Sequence, residues 1–177
     1  MNNSQEKVLD QIQTKTTAGV LSAFSIATIL PFFLHQQLIT GPIINAMLFL
    51  AVVFLGLRWA IILSFIPSIM ALTGGLLLPF LTPIVPFIML SNIIMVFLFA
   101  KFYNLNANIS INFWQGVLTG SLAKSFFLMI CGFLVLNYFK NPQAVKLAVS
   151  ALGVLQFGTA VVGGSIAFGF LKFVKKI

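Results

Sequence analysis

Long apolar runs, separated by short polar or Gly/Pro-rich stretches, dominate the chain from Thr16 onward. They do not alternate with period two, as the strands of a membrane barrel do. Most are near the ~20 residues a helix needs to cross ~30 Å of hydrocarbon. The pattern predicts six membrane helices, at 16–34, 41–56, 59–72, 83–102, 112–137 and 142–173. The second and third are short and the sixth is long. The expected fold is an all-α integral membrane protein, a six-transmembrane-helix bundle with both termini cytoplasmic. Residues 1–15 form a cytoplasmic tail or a short surface helix with Val8 and Ile12 on one face. Residues 16–173 form the membrane domain, and residues 174–177 a basic cytoplasmic tail.

The breaks between spans have local causes. Thr40-Gly41-Pro42 reads as a turn followed by a helix-starting proline. Gly56-Leu57-Arg58 reads as a tight turn, and Thr73-Gly74-Gly75 as the end of the third span. Pro79, Pro83 and Pro86 keep the next stretch irregular. The apolar segment 74–86 dips back into the membrane, lies over the bundle as a lid, or is a distorted extension of the third helix. Residues 104–108 form an Asn-rich loop, and Lys140-Asn141-Pro142 a loop with a proline opening the last helix.

Composition sharpens this picture. The chain is 60% hydrophobic and only 7% charged, against about 25% charged in a soluble domain. It has too few charges to cover a soluble globule. The formal net charge of +8 does not indicate a nucleic-acid partner. The basic residues stand at the ends of apolar segments, where they set topology, and not in a patch with interleaved aromatics. With the N-terminus inside, Lys7, Lys15, Arg58, Lys101, Lys172, Lys175 and Lys176 are cytoplasmic, and only Lys140 and Lys146 are outside. Trp59, Tyr103 and Trp114 fall at the inner boundary and Tyr138 at the outer one. The N-terminal tail mixes charge signs and more spans follow the first, so it is a poor secretory signal. The single cysteine, Cys131, lies in an apolar run as a small packing residue.

The two carboxylates, Glu6 and Asp10, are both in the tail, and none follows from Gln11 to Ile177. The chain has no Gly-rich phosphate loop with lysine and Ser/Thr, no carboxylate pair for acid–base work, and no His/Cys/Asp/Glu cluster with metal spacing. An enzyme is therefore not expected, and neither is a cofactor. Secondary pumps usually carry an intramembrane acidic group, and this chain carries none. Uphill transport would need a partner to drive it.

The candidate chemistry is a small set of polar groups within apolar spans. Lys124 stands in SLAKSFFLMI with uncharged residues around it, and such a lysine costs about 2.5–3.5 kcal/mol at a helix centre on insertion scales. Gly116, Gly120 and Lys124 are spaced by four, which places them on one face and lets another helix come close. Lys124 is therefore expected to point into the bundle. Its partner must be a carbonyl, an amide such as Asn92 or Gln156, water, or a bound negative or electron-rich group. Asn45 either ties helices together or joins the site, and His35, Gln36 and Gln37 cluster in the loop after the first span. In that span Gly19, Ala23 and Ala27 form a strip of small residues that suits close helix contact, with this bundle or with a partner.

With its Ala23-Phe24-Ser25-Ile26-Ala27 motif, extended by Gly19, and the stretch TGPIINAMLFLAVVFLGLRWA, the chain resembles the substrate-binding S component of energy-coupling factor (ECF) transporters, bacterial vitamin importers. The resemblance covers nearly the whole chain in length, helix number and basic composition. It implies that the Ala-x-x-x-Ala strip docks on a transmembrane T component, and that two cytoplasmic ATPase subunits drive transport. It also implies a vitamin-like small-molecule ligand bound near the outer side of the bacterial cytoplasmic membrane. The matching polar positions are His35, Gln36, Gln37, Asn92, Lys124 and Gln156. The competing expectation is a small membrane scaffold or assembly subunit without a ligand.

Overall fold

A computed structural model describes residues 18–19, 22, 24–25, 37–74, 79–105, 108–138, 152–175 and 177. Among these residues the protein is helical, without strands. Five helices follow in chain order: α1 (Gln37–Leu55), α2 (Leu57–Thr73), α3 (Val85–Tyr103), α4 (Ile109–Tyr138) and α5 (Val154–Phe173). A short 3-10 helix, Pro79–Ile84, leads straight into α3. Segments within α1, α3 with the residues before it, α4 and α5 are long and apolar enough to cross a membrane, while α2 is shorter. This is the architecture of a multi-pass membrane protein. The described residues of the first expected span, Ala18, Gly19, Ser22, Phe24 and Ser25, are all helical.

Two expected breaks are corrected. Thr40-Gly41-Pro42 is not a turn, because α1 starts at Gln37 and runs through Pro42. Pro42 is near the helix start, so it removes only one early backbone hydrogen bond. Gly41 serves close packing instead. A methyl group on it would fall 3.1 Å from Thr159 of α5. The last span is not one helix from residue 142 either. Gly153 is a turn with φ −90 and ψ −92, and α5 starts after it. Residues 139–151, with the Lys140-Asn141-Pro142 loop, lie outside the described residues. For segment 74–86, Gly74 caps α2, residues 75–78 are outside the description, and Pro79–Ile84 belongs to the approach to α3 rather than to an extension of α2. The buried Ile84 packs with Leu128 and Leu152.

Other breaks stand as expected. Gly56 alone separates α1 from α2, at φ +83, a backbone conformation that favours glycine. The backbone ladder crosses it, with Gly56 N–H donating to the Val52 carbonyl and Ala60 N–H to the Gly56 carbonyl.

Glycines set the helix spacing. Methyl groups on Gly116 and Gly120 would fall 3.0 Å from the Phe99 carbonyl oxygen and 2.8 Å from that of Met95. Each turn forward on α4 is thus a turn back on α3, and the two are antiparallel. A methyl on Gly163 would fall 2.6 Å from the Pro42 carbonyl oxygen and 2.8 Å from Asn45 Cβ. Taken with Gly41 against Thr159, this makes α1 and α5 parallel. Lipid tails are as apolar as leucine, so such close approach supplies association that the hydrophobic effect cannot.

The core is unequal along the bundle. The larger cluster gathers Phe49, Phe99, Phe113, Val117 and Leu171 around the ends where α1 and α3 finish and α4 starts. Its rings touch in series, with Phe99 stacked on Tyr103 at 5.6 Å, Phe113 edge-on to Phe99 at 5.2 Å, and Trp114 5.5 Å from Phe168. Tyr103 and Trp114, expected as interfacial residues, are also members of this ring stack. Among the described residues the other end holds the small cluster of Ile84, Leu128 and Leu152. Most of the buried polar residues stand between the two clusters.

Candidate functional site

Lys124 points into the bundle, as the Gly116-Gly120-Lys124 spacing requires, and is 3% exposed. Helix side chains lean toward their own N-terminus. That carries the amine across the bundle to α1, where Nζ donates to Asn45 Oδ1 at 2.8 Å. Asn45 is 2% exposed. Gly163 makes room for it, since any side chain there would strike Asn45 Cβ and the Pro42 backbone. The amide that holds Lys124 is thus neither Asn92 nor Gln156, as the sequence suggested, but Asn45.

Asn92 lies at the same depth. Gly120 sits against Met95, so the next turn of α4 brings Lys124 level with Ser91 and Asn92 on α3. Asn92 is 3% exposed, and its Nδ2 donates to the Ser64 carbonyl of α2 at 3.4 Å. Its Oδ1 is buried and has no hydrogen-bond partner. The hydroxyls of Ser64 and of Ser91, the chain neighbour of Asn92, are already committed, to the Ala60 and Ile88 carbonyls. Three further buried hydroxyls have no partner, those of Ser68, Ser121 and Ser125. Serines inside helices commonly bond back to the carbonyl three or four residues earlier. These three do not, so their hydrogen-bonding capacity is free for something else.

Gln156 is half-buried on α5, where its carbonyl accepts from the Thr159 hydroxyl at 3.1 Å. It makes no hydrogen bond to Lys124. Gln37 opens α1, while His35 and Gln36 lie outside the described residues, as do Ala23 and Ala27. Gly19 is helical and exposed, with open space where a side chain would stand. Phe24, five residues on, is 2% exposed and belongs to the main core. The described part of the small-residue strip therefore faces away from the bundle.

Sequence analysis left Asn45 between a tie of two helices and a place in the site, and it did not single out Ser68, Ser121 and Ser125. The signal for the last two was their position beside Lys124 on the same helix. Among the described residues no group of His, Cys, Asp or Glu side chains could hold a metal ion. The layer is thus one amine, two amides and several hydroxyls, set in hydrocarbon without a carboxylate. It can hold a polar solute by hydrogen bonds. The chain matches no family model, and no curated protein and no solved structure is similar to it at a significant level.

Proposed function

We propose that this chain is the solute-binding S component of an ECF-type importer in the bacterial cytoplasmic membrane, with six membrane helices and both termini inside. The observation that carries the proposal is the buried layer around Lys124. On α3 and α4 it contains three polar atoms without partners, Asn92 Oδ1 and the Ser121 and Ser125 hydroxyls, and Ser68 adds a fourth on α2, in a chain that has no phosphate loop and no intramembrane carboxylate. Unsatisfied buried polar atoms are costly, and a bound solute would satisfy them. A bundle that binds but has no motor fits a subunit whose transport is driven by others. His35, Gln36 and Gln37 would close over the solute, while Asn92, Lys124 and Gln156 would hold it from below.

The T component would dock on the strip of Gly19, Ala23 and Ala27, and two cytoplasmic ATPases would supply the energy. The exposure of Gly19 and the inward placing of Phe24 support a strip free for a partner. Few charges along the helices lower the cost of tilting in lipid, which the resemblance implies for this class of importer.

The Lys124–Asn45 bond alone would favour a scaffold without a ligand, because the lysine finds its partner within the chain. The four unpartnered atoms weigh against that.

The test is mass spectrometry of small molecules released from gently purified protein, with uptake into vesicles carrying the partner subunits. A compound released by the native protein and lost from Lys124→Met supports binding. ATP-dependent uptake lost in Ala23→Phe/Ala27→Phe, with that compound still bound, supports docking. Accumulation of a compound in sealed vesicles by this chain alone would overturn the proposal.

A further inference from the structure

We infer that the layer takes a compact organic carboxylate that also carries an N–H or O–H donor, the carboxylate lying on Lys124 and the donor on Asn92 Oδ1. This rests on the proposed function and gives its solute a chemical class.

The donor side comes from Lys124. An ammonium group has three N–H donors and no acceptor. One is used on Asn45 Oδ1, and no other partner stands among the described residues. The Asn45 bond holds the amine in place, so a solute meets an oriented donor. The unpartnered hydroxyls of Ser121 and Ser125 flank it in sequence on the same helix. No carboxylate follows Asp10, so a negative partner has to arrive with the solute. A cationic solute would meet Lys124 unscreened. A phosphate is poorly served, because phosphate sites draw on arginine forks or on free backbone N–H groups at helix starts. Here the site lies in mid-helix, where backbone N–H groups are already paired, and Arg58 is the chain's single arginine. A carboxylate asks for fewer donors and matches the amine with two neighbouring hydroxyls.

The acceptor side comes from Asn92. Its Nδ2 is turned to the Ser64 carbonyl, which leaves Oδ1 buried without a donor. The hydroxyls of Ser64 and Ser91 are committed to their own helices. A bound solute can bring the missing proton. The helix register places the backbones of Asn92 and Lys124 at one depth on adjacent helices, and a solute with both groups on one small ring suits that arrangement.

Three ring compounds separate the two contacts in calorimetric titrations of the detergent-purified full chain. Pyrrole-2-carboxylate has the charge and the N–H, furan-2-carboxylate has the charge alone, and pyrrole-2-carboxamide has the N–H without the charge. The expected result is binding of pyrrole-2-carboxylate, with each of the others about tenfold weaker, the loss expected for one polar contact. Lys124→Met should remove the preference over the carboxamide, and Asn92→Leu the preference over the furan. The comparison on the native chain needs no variant to fold. Equal binding of the pyrrole and furan acids, or no binding of any of the three, overturns the inference. If none binds while the purified protein releases a compound lacking a carboxylate, solute binding stands and only its assigned class falls. If nothing is released and partner-driven uptake is absent, the proposed function falls with it.

Discussion

Lys124 Nζ donates to Asn45 Oδ1 at 2.8 Å, which joins α4 to α1 across 79 residues of sequence. Asn45→Leu keeps the branching and the number of heavy atoms and leaves the amine without its acceptor. It should cost about 2 kcal/mol, the range for a hydrogen bond to a charged group. The double variant Asn45→Leu/Lys124→Met should recover most of that loss, because replacing both partners by apolar groups is nearly neutral. Denaturant unfolding in detergent measures both. Equal stability of Asn45→Leu and the native chain would show that the bond contributes nothing.

Gly163 is the floor on which Asn45 stands. Gly163→Ala should destabilise by about 1–3 kcal/mol, the usual cost of overpacking, because the methyl meets the Pro42 carbonyl and the α1 backbone rather than a flexible side-chain end. Gly158→Ala and Gly169→Ala, on the same helix with open space around them, should be neutral or raise stability by up to about 1 kcal/mol through helix propensity. Thermal melts of the three variants side by side give the contrast. A loss as large in Gly158→Ala would point to some cause other than the α1–α5 contact.

Gly56→Ala should lower stability by about 1–3 kcal/mol, the cost of holding a residue with a Cβ at φ +83 and ψ 170, a region that is essentially glycine's alone. The space around Gly56 is open, so the effect is backbone strain without a clash. Melting temperature is the readout, and an unchanged value would mean the joint can turn some other way.

Gly19→Leu separates folding from partnership. Gly19 is exposed and nothing lies within 4 Å of where its Cβ would stand, so the stability of the isolated chain should shift by no more than about 0.5 kcal/mol. Co-purification with a T component should drop sharply. A variant that unfolds would place the strip against its own bundle.

Much of this arrangement is legible before any coordinates. Apolar run length locates α1 to α4 to within a few residues, because hydrocarbon thickness constrains length, but it misses the break at Gly153 before α5. The Gly116-Gly120-Lys124 spacing gives the direction of the lysine, since helical periodicity is local. Its partner is not legible. Asn45 becomes the acceptor only through the α1–α5 contact, which pairs Gly41 with Thr159 and Gly163 with Pro42. Gly41-Pro42 carries the local signature of a turn, and packing between helices distant in sequence overrides it. The unpartnered serines are equally hidden. Whether a serine bonds back to its own helix depends on its rotamer, and sequence does not specify that.

The single-residue joint at Gly56 bears on how the chain enters its membrane. The 17 residues of α2, interrupted by Pro67 and carrying Ser64 and Ser68, make a weak insertion signal alone. Its neighbour on the other side of Gly56 is nineteen residues long, and its last ten, Ala46 to Leu55, are all apolar. Delivered together as a hairpin, the strong arm carries the weak one into lipid. Glycosylation mapping of truncated chains should find the second arm inserted only when the first precedes it.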